Sequence, residues 1–211
     1  MSTSLGPGDP LVAPVDPVSP WNVANYLTVL RLLLVPVFLV LLLAEGGDDT
    51  SLRVAAAVVF AIAAYTDRID GQLARSRGLI TSFGKLADPI ADKALTGAAF
   101  VGLSLLGELA WPITVLVIVR EVGVTLLRFF VIRHGVIPAS RGGKLKTLLQ
   151  GVAIGLYVLP LTGVLASGRA VVMVLAVVVT VVTGLDYVMR AVTLRRTSER
   201  AAMKRARRTI A

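Results

Sequence analysis

Cysteine is absent from the 211 residues, and histidine occurs once, as His134. Disulfides, iron–sulfur clusters and thiolate zinc sites are therefore excluded, and any metal has to be held by oxygen. Charged residues are scarce at 17% and aromatic residues at 6%, against 55% hydrophobic residues and a mean hydropathy of +0.80. A soluble domain of this length is not built that way. The ten-residue dyad alternation of a membrane barrel is also missing, and an open sheet cannot satisfy its backbone in lipid. The apolar residues instead gather into runs of about 20, the length that carries a helix across roughly 30 Å of hydrocarbon. The expectation is an all-α, polytopic integral membrane protein.

Six runs divide the chain. Residues 1–20 hold Pro7, Pro10, Pro14, Pro17 and Pro20 with few large apolar groups, so they are expected to form a disordered tail. Its neutral to acidic start, followed by an apolar run of full spanning length, does not fit a signal peptide. The six-helix transmembrane domain is placed at residues 21–193, with spans from about Val23 to Leu43, Leu52 to Ala74, Phe83 to Leu106, Trp111 to His134, Lys144 to Leu165 and Val171 to Val192. Ser167 to Arg169 are expected to make the last turn. The final segment, residues 194–211, contains Arg195, Arg196, Arg200, Lys204, Arg205, Arg207 and Arg208 and is expected to be a basic helix on the membrane surface.

The cations give the orientation, because Lys and Arg of short loops stay on the cytoplasmic side. One set of turns contains only Arg53 and Arg169 as cations, whereas Arg75, Arg77, Lys85, Arg133, Arg141, Lys144, Lys146 and the tail fall on the other side. Both termini are thereby placed in the cytoplasm of a multi-pass cell-membrane protein. The net charge of +9 is read as topology and contact with anionic lipid, not as nucleic-acid binding.

The stretch DRIDGQLARSRGLITSFGKLADPIAD, residues 67–92, sets four carboxylates where membrane helices tolerate them least. Asp67 and Asp70, three apart, share a face of the second span, and Asp88 and Asp92, four apart, share a face of the third. The short link between the spans reverses the chain and can bring the two acidic faces together. Like charges at close quarters repel unless protonated or neutralised by a cation. Oxygen ligands select hard ions such as Mg2+ or Mn2+, and two such ions can share the set. The plainer alternative is a helix-end salt-bridge cluster with Arg68, Arg75, Arg77, Lys85 and Lys93. Gly71 and Gly84, beside the carboxylates, read either as helix-packing glycines or as gaps that let a bulky ligand approach.

Asp67, Asp70, Gly71, Ala74, Arg75, Gly84, Asp88 and Asp92 fit D-x2-D-G-x2-A-R-x8-G-x3-D-x3-D at every position, and on these residues the chain resembles the CDP-alcohol phosphatidyltransferases. The resemblance implies a six-helix homodimeric membrane fold, two divalent ions per site, and cleavage of a CDP-linked lipid into CMP and a phosphodiester. It makes Asp67, Asp70 and Asp88 metal ligands, with Asp92 close to the ions, counted with the ligands and placed as the general base. Gly71, Ala74, Arg75 and Gly84 would line the nucleotide side. Asn25, Thr28 and Arg31 of the first span are similar to the residues that help bind the cytidine diphosphate, although Thr28 equally reads as ordinary helix packing.

Arg120, Arg128, Arg141, Lys144 and Lys146 fall near the same cytoplasmic surface, and converging cations suit an acceptor that carries phosphate. Arg120, Arg141 and Lys144 are the candidates for it, whereas Arg133 and Lys146 read as topology or headgroup cations. The R-E pair at Arg120 and G-K-x-K-T from Gly143 resemble the bacterial, and within it the actinobacterial, branch of the family that transfers from CDP-diacylglycerol to sn-glycerol 3-phosphate. Inositol phosphate and the acceptor of a cardiolipin synthase remain alternatives, and an ion-coupled transporter is the alternative from another class. His134 reads as an interfacial or capping residue, and Asp186 as the partner of Arg190 one turn later, with a place lining the dimer or the cavity as the alternatives.

Overall fold

The computed structural model describes residues 22–76, 81–131 and 141–210. Among them the chain forms six α-helices: α1 (Val23–Leu43), α2 (Thr50–Ser76), α3 (Ser82–Leu105), α4 (Trp111–Val131), α5 (Arg141–Val158) and α6 (Gly163–Ile210). A short 3-10 turn, Ala44–Gly47, joins α1 to α2, and no strand occurs among the described residues. The proline-rich start, Arg77, Arg133 and His134 lie outside the described residues.

Local chemistry sets the ends of these helices. The Asn22 side chain accepts the Asn25 N–H at 3.0 Å and so satisfies one of the donors that open α1. At the end of α3 the Glu108 N–H reaches back to the Leu103 carbonyl at 3.0 Å and the Gly107 N–H to that of Ser104 at 3.1 Å. This paired closure requires a left-handed residue, and Gly107 supplies it with φ of 71°. Pro36 and Pro89 sit inside α1 and α3 without ending them, as helices packed in a membrane bundle allow.

The structure departs from the sequence expectation at the fifth and sixth spans. α5 stops at Val158 and α6 begins at Gly163, so Ser167 to Arg169 lie inside α6 and the turn falls at residues 159–162. The cause is Pro160, which lacks an N–H and pushes Leu159 out of the helical region; its apolar neighbours disguise the break. At its other end α6 continues without interruption to Ile210, so the basic segment prolongs the sixth span. The side chains of that segment beyond Leu194 lie outside those described.

Segments Asn25–Gly47, Thr50–Asp67 and Gly163–Leu194 are long and apolar enough to cross a membrane. α3, α4 and α5, of 24, 21 and 18 residues, carry more charge. Much of that charge is turned into the bundle: Glu121 and Lys146 are each only 6% exposed. Large aliphatic residues such as Leu33, Val40, Val119 and Val164 point outward, the arrangement expected of a surface solvated by lipid tails. Inside, Phe38, Leu42, Phe60, Phe100, Leu103, Ile154 and Met173 form one core. Ala56, Ala63, Ala91, Ala99, Ala153 and Ala176 let the helix backbones approach closely within it. α1 packs on α2 and α3, α5 on α6 and α2, and α4 on α6 and α3.

One end of the bundle is tied by Arg53, near the start of α2. Its guanidinium donates to the Val158 carbonyl at 3.0 Å, the Tyr157 carbonyl at 2.5 Å, the Gly47 carbonyl at 3.3 Å and the Glu108 carboxylate. Glu108 also accepts from Arg169 at 3.0 Å, and the Arg169 guanidinium lies 4.6 Å over the Tyr157 ring. Five segments of chain thus meet at two guanidinium groups and one carboxylate. Replacing Arg53 by Met would orphan the buried carbonyls and leave Glu108 with Arg169 alone. Arg53→Met is expected to cost about 3 kcal/mol, read as a fall of roughly 6–12 °C in the thermal unfolding midpoint in detergent, with Glu108→Gln showing a smaller fall.

Candidate active site

The site lies at the other end of α2, where Asp67 follows Arg53 by fourteen residues, about 21 Å along the helix axis. α1 contributes a polar stripe of Asn25, Thr28 and Arg31, at 6%, 1% and 0% exposure, whose spacing of three keeps them on one face. Each reaches across to another segment. The Asn25 amide donates to Thr81 Oγ1 at 2.9 Å just before α3, Thr28 Oγ1 donates to Asp88 Oδ1 at 2.5 Å, and Arg31 Nη1 donates to Asp67 Oδ1 at 2.5 Å. One helix therefore holds the acidic faces of the other two in register. Asp67 in turn lies within electrostatic reach of Asp88, Asp92 and Lys93.

These three carboxylates come from two helices and converge on one region. Asp67 and Asp88 are each held on one oxygen from α1, and Asp92 accepts from Lys93 Nζ at 3.2 Å on Oδ2. For each of them, the second oxygen has no protein hydrogen bond among the described residues. That is a donor set of hard oxygens, partly neutralised and pre-oriented, which suits a divalent cation. No three acidic side chains among the described residues close into a ligand shell. Asp70, one turn beyond Asp67, has its side chain outside those described, as do Ala74 and Arg75; Gly71 and Gly84 share that standing, and so does Arg141.

A cavity of about 560 Å3 opens from this region. Arg31, Asp67, Asp92, Lys93, Glu121 and Lys146 line its polar end, and Val54, Ala57, Val58, Ala61, Val152 and Leu159 line its length between α2 and α5. Charge at one end and aliphatic walls along the rest match a ligand with an ionic head and an acyl body. Tyr65, Val58 and Val152 in this lining are among the strongly exposed residues, so the cavity opens sideways onto the lipid-facing surface.

The candidate acceptor cations separate in space. Arg120 does not line the cavity: its Nε donates to the Thr180 carbonyl at 3.0 Å and its Nη2 to Thr183 Oγ1 at 2.9 Å, both on α6. Lys144 is exposed. Lys146, read from sequence as a topology or headgroup cation, instead lies buried in the cavity lining and donates to Glu121 at 2.5 Å. Burial reverses that reading, since a headgroup cation would keep its ammonium in water. Glu121 and Gln150 also face the cavity, and sequence reasoning missed both. The available signal was a lone acid inside an apolar run, which calls for a partner. Asp186 binds Arg190 at 2.9 Å on the exposed side, as its spacing predicts.

Residues 21–182 match the family model described as CDP-alcohol phosphatidyltransferase. The chain belongs to the CDP-alcohol phosphatidyltransferase family. It is 59% identical over 170 residues to the probable phosphatidylglycerophosphate synthase of Mycobacterium tuberculosis, covering 81% of each chain. It is 36% identical over 180 residues to the CDP-diacylglycerol–glycerol-3-phosphate 3-phosphatidyltransferase of Bacillus subtilis, covering 79% of this chain and 93% of that one. For the protein of the same description from Rickettsia typhi the identity is 35% over 171 residues, covering 79% and 94%. This phosphatidyltransferase is thus membrane-embedded, and its family is generally dependent on a divalent metal.

In this candidate site Thr28 orients Asp88 through a hydrogen bond to a carboxylate oxygen, an interaction of about 1.5–3 kcal/mol. Thr28→Val is expected to lower kcat/KM by at least about tenfold, with Thr28→Ser recovering most of it. Rates of CMP release, with thermal unfolding as the fold control, check this.

Proposed function

We propose that this enzyme transfers the phosphatidyl group of CDP-diacylglycerol to sn-glycerol 3-phosphate, giving phosphatidylglycerol phosphate and CMP, and so serves phospholipid synthesis. The observation that carries the reading is the cavity whose carboxylate-lined polar end continues into an aliphatic groove between α2 and α5. The names of the relatives from Mycobacterium tuberculosis and Bacillus subtilis point to the same acceptor.

In this reading Asp67, Asp70, Asp88 and Asp92 would hold two divalent ions, Mg2+ or Mn2+, which would supply positive charge to offset the negative charge of the diphosphate and of the departing CMP. The chain's own groups do the rest. Arg31 and Thr28 fix Asp67 and Asp88, and Asn25, Gly71, Ala74, Arg75 and Gly84 border the nucleotide. The aliphatic walls seat an acyl chain and exclude water from the reacting phosphorus. Asp92 takes the proton of the acceptor's primary hydroxyl as its oxygen bonds to the lipid-side phosphorus. The bond from that phosphorus to the CMP oxygen breaks, and CMP leaves with the electron pair. Lys93, 3.2 Å from Asp92, steadies the carboxylate that receives the proton. No residue is needed as a covalent nucleophile.

The arrangement of Lys and Arg supports an active site on the cytoplasmic face with both termini on that side. Pairing of two copies is carried over from the family resemblance. Among the acceptor cations, Arg141 and Lys144 remain candidates by their place at the start of α5, and burial adds Lys146.

Purified enzyme in lipid micelles, given CDP-diacylglycerol, Mg2+ or Mn2+ and each acceptor in turn, is expected to release CMP with sn-glycerol 3-phosphate. Chelation should abolish turnover, and re-addition of either ion should restore it. Asp92→Asn is expected to retain binding of the CDP-lipid while kcat falls by about 100-fold or more. Release of CMP with inositol phosphate alone would replace the acceptor, and full turnover after exhaustive chelation would end the metal reading.

A further inference from the structure

Glu121 gathers cations from three helices onto one carboxylate. Its Oε1 accepts from Lys146 Nζ of α5 at 2.5 Å and from Arg120 Nη1 of α4 at 3.0 Å, and its Oε2 accepts from Lys93 Nζ of α3 at 2.7 Å. The three cations are not equivalent. Arg120 spends its remaining nitrogens on α6, and its stem packs against Gly184, where an added Cβ would lie 3.0 Å away. It is a tie between helices. Lys93 and Lys146 line the cavity together with Asp92 and Glu121.

An ammonium has three donors. Lys146, with its side chain 8% exposed, spends one on Glu121 and has no other protein partner among the described residues. Lys93 spends one on Glu121 and one on Asp92. Three positive charges on one carboxylate leave this buried wall electropositive, and in a medium of low dielectric such an excess is costly until an anion arrives. Asp92, in contact with Lys93, offsets one of the two excess charges and leaves one positive charge over.

We propose that Glu121 is a positioning residue for the acceptor: it fixes the ammonium groups of Lys93 and Lys146 on the cavity wall, facing inward, as a receptor for the phosphate of a phosphorylated alcohol whose hydroxyl then lies beside Asp92. Without the carboxylate the two lysines repel each other and their flexible stems carry the charges toward water. The inference rests on the transfer reading above, and it adds what makes the acceptor phosphate-bearing: an alcohol lacking phosphate leaves the excess charge unmet.

Full-length enzyme in lipid micelles tests it. Wild-type turnover with sn-glycerol 3-phosphate is measured first; its absence sinks the acceptor reading by itself, and the kinetics below are then run on whichever phosphorylated alcohol supports CMP release. Glu121→Gln is expected to raise the acceptor KM at least tenfold while the KM for CDP-diacylglycerol stays within twofold, and Glu121→Asp to recover part of the loss. Inorganic phosphate, the probe for the receptor, is expected to compete with the acceptor in the wild type and to lose potency in parallel in the variants. Lys146→Gln, which leaves Glu121 paired with Lys93 and Arg120, must show the same selective rise, and carries the test should Glu121→Gln fail to fold. A fall in kcat with unchanged acceptor KM, an equal rise in both KM values, or unaltered inhibition by phosphate would overturn the proposal.

Discussion

Charge inside a low-dielectric bundle has to be matched within a few ångströms, and this constraint organises the molecule. An isolated carboxylate in hydrocarbon is too costly to persist. Here Asp67 is met by Arg31, Glu108 by Arg53 and Arg169, and Glu121 by Lys93, Arg120 and Lys146. Apart from Arg120 beside Glu121, each match joins residues that are carried on different segments of the chain. Hydrophobic burial cannot fix such a structure alone, since lipid tails are as apolar as the core. The pairings specify which helices are neighbours and at what depth, and the small residues between them allow the backbones to close.

The two ends of the bundle use the same chemistry for different purposes. At the Arg53 end four of the five Arg53 guanidinium donors go to carbonyls and a carboxylate of the protein itself, so the cluster is structural. At the Asp67 end the carboxylates keep oxygens and the lysines keep donors that face a cavity. Incomplete satisfaction is costly for stability and useful for binding, because a ligand's charge completes the set. The same logic explains why one polar stripe on α1 suffices to organise the site. Thr28 and Arg31 are fully buried, and each bonds a different acidic helix.

Much of this was legible in the sequence, for physical reasons. Apolar runs of spanning length and the spacing of the aspartates are local features, and they gave the helix order, the bounds of α1 and the acidic faces of α2 and α3. The polar stripe of Asn25, Thr28 and Arg31 was visible as three polar residues in an apolar run. What sequence did not reveal depends on three-dimensional context. Pro160 ended α5 inside an apolar stretch that looked continuous. Lys146 and Lys144, two residues apart, point to opposite sides of α5, so one is buried against Glu121 and the other exposed. Arg120 was conspicuous in sequence for the same reason that it is structural: a cation inside a helix needs acceptors, and α6 provides them.

α6 has 48 residues in one helix, about 72 Å of rod, of which less than half is needed to cross the hydrocarbon. No hinge divides the submerged part from the emergent part. The turn of this rod that bears Thr180 and Thr183 grips Arg120 of α4, and Gln150 of α5 also bonds Thr180. One turn of the long helix is thus the common anchor of the two helices that bring Glu121 and Lys146 to the cavity.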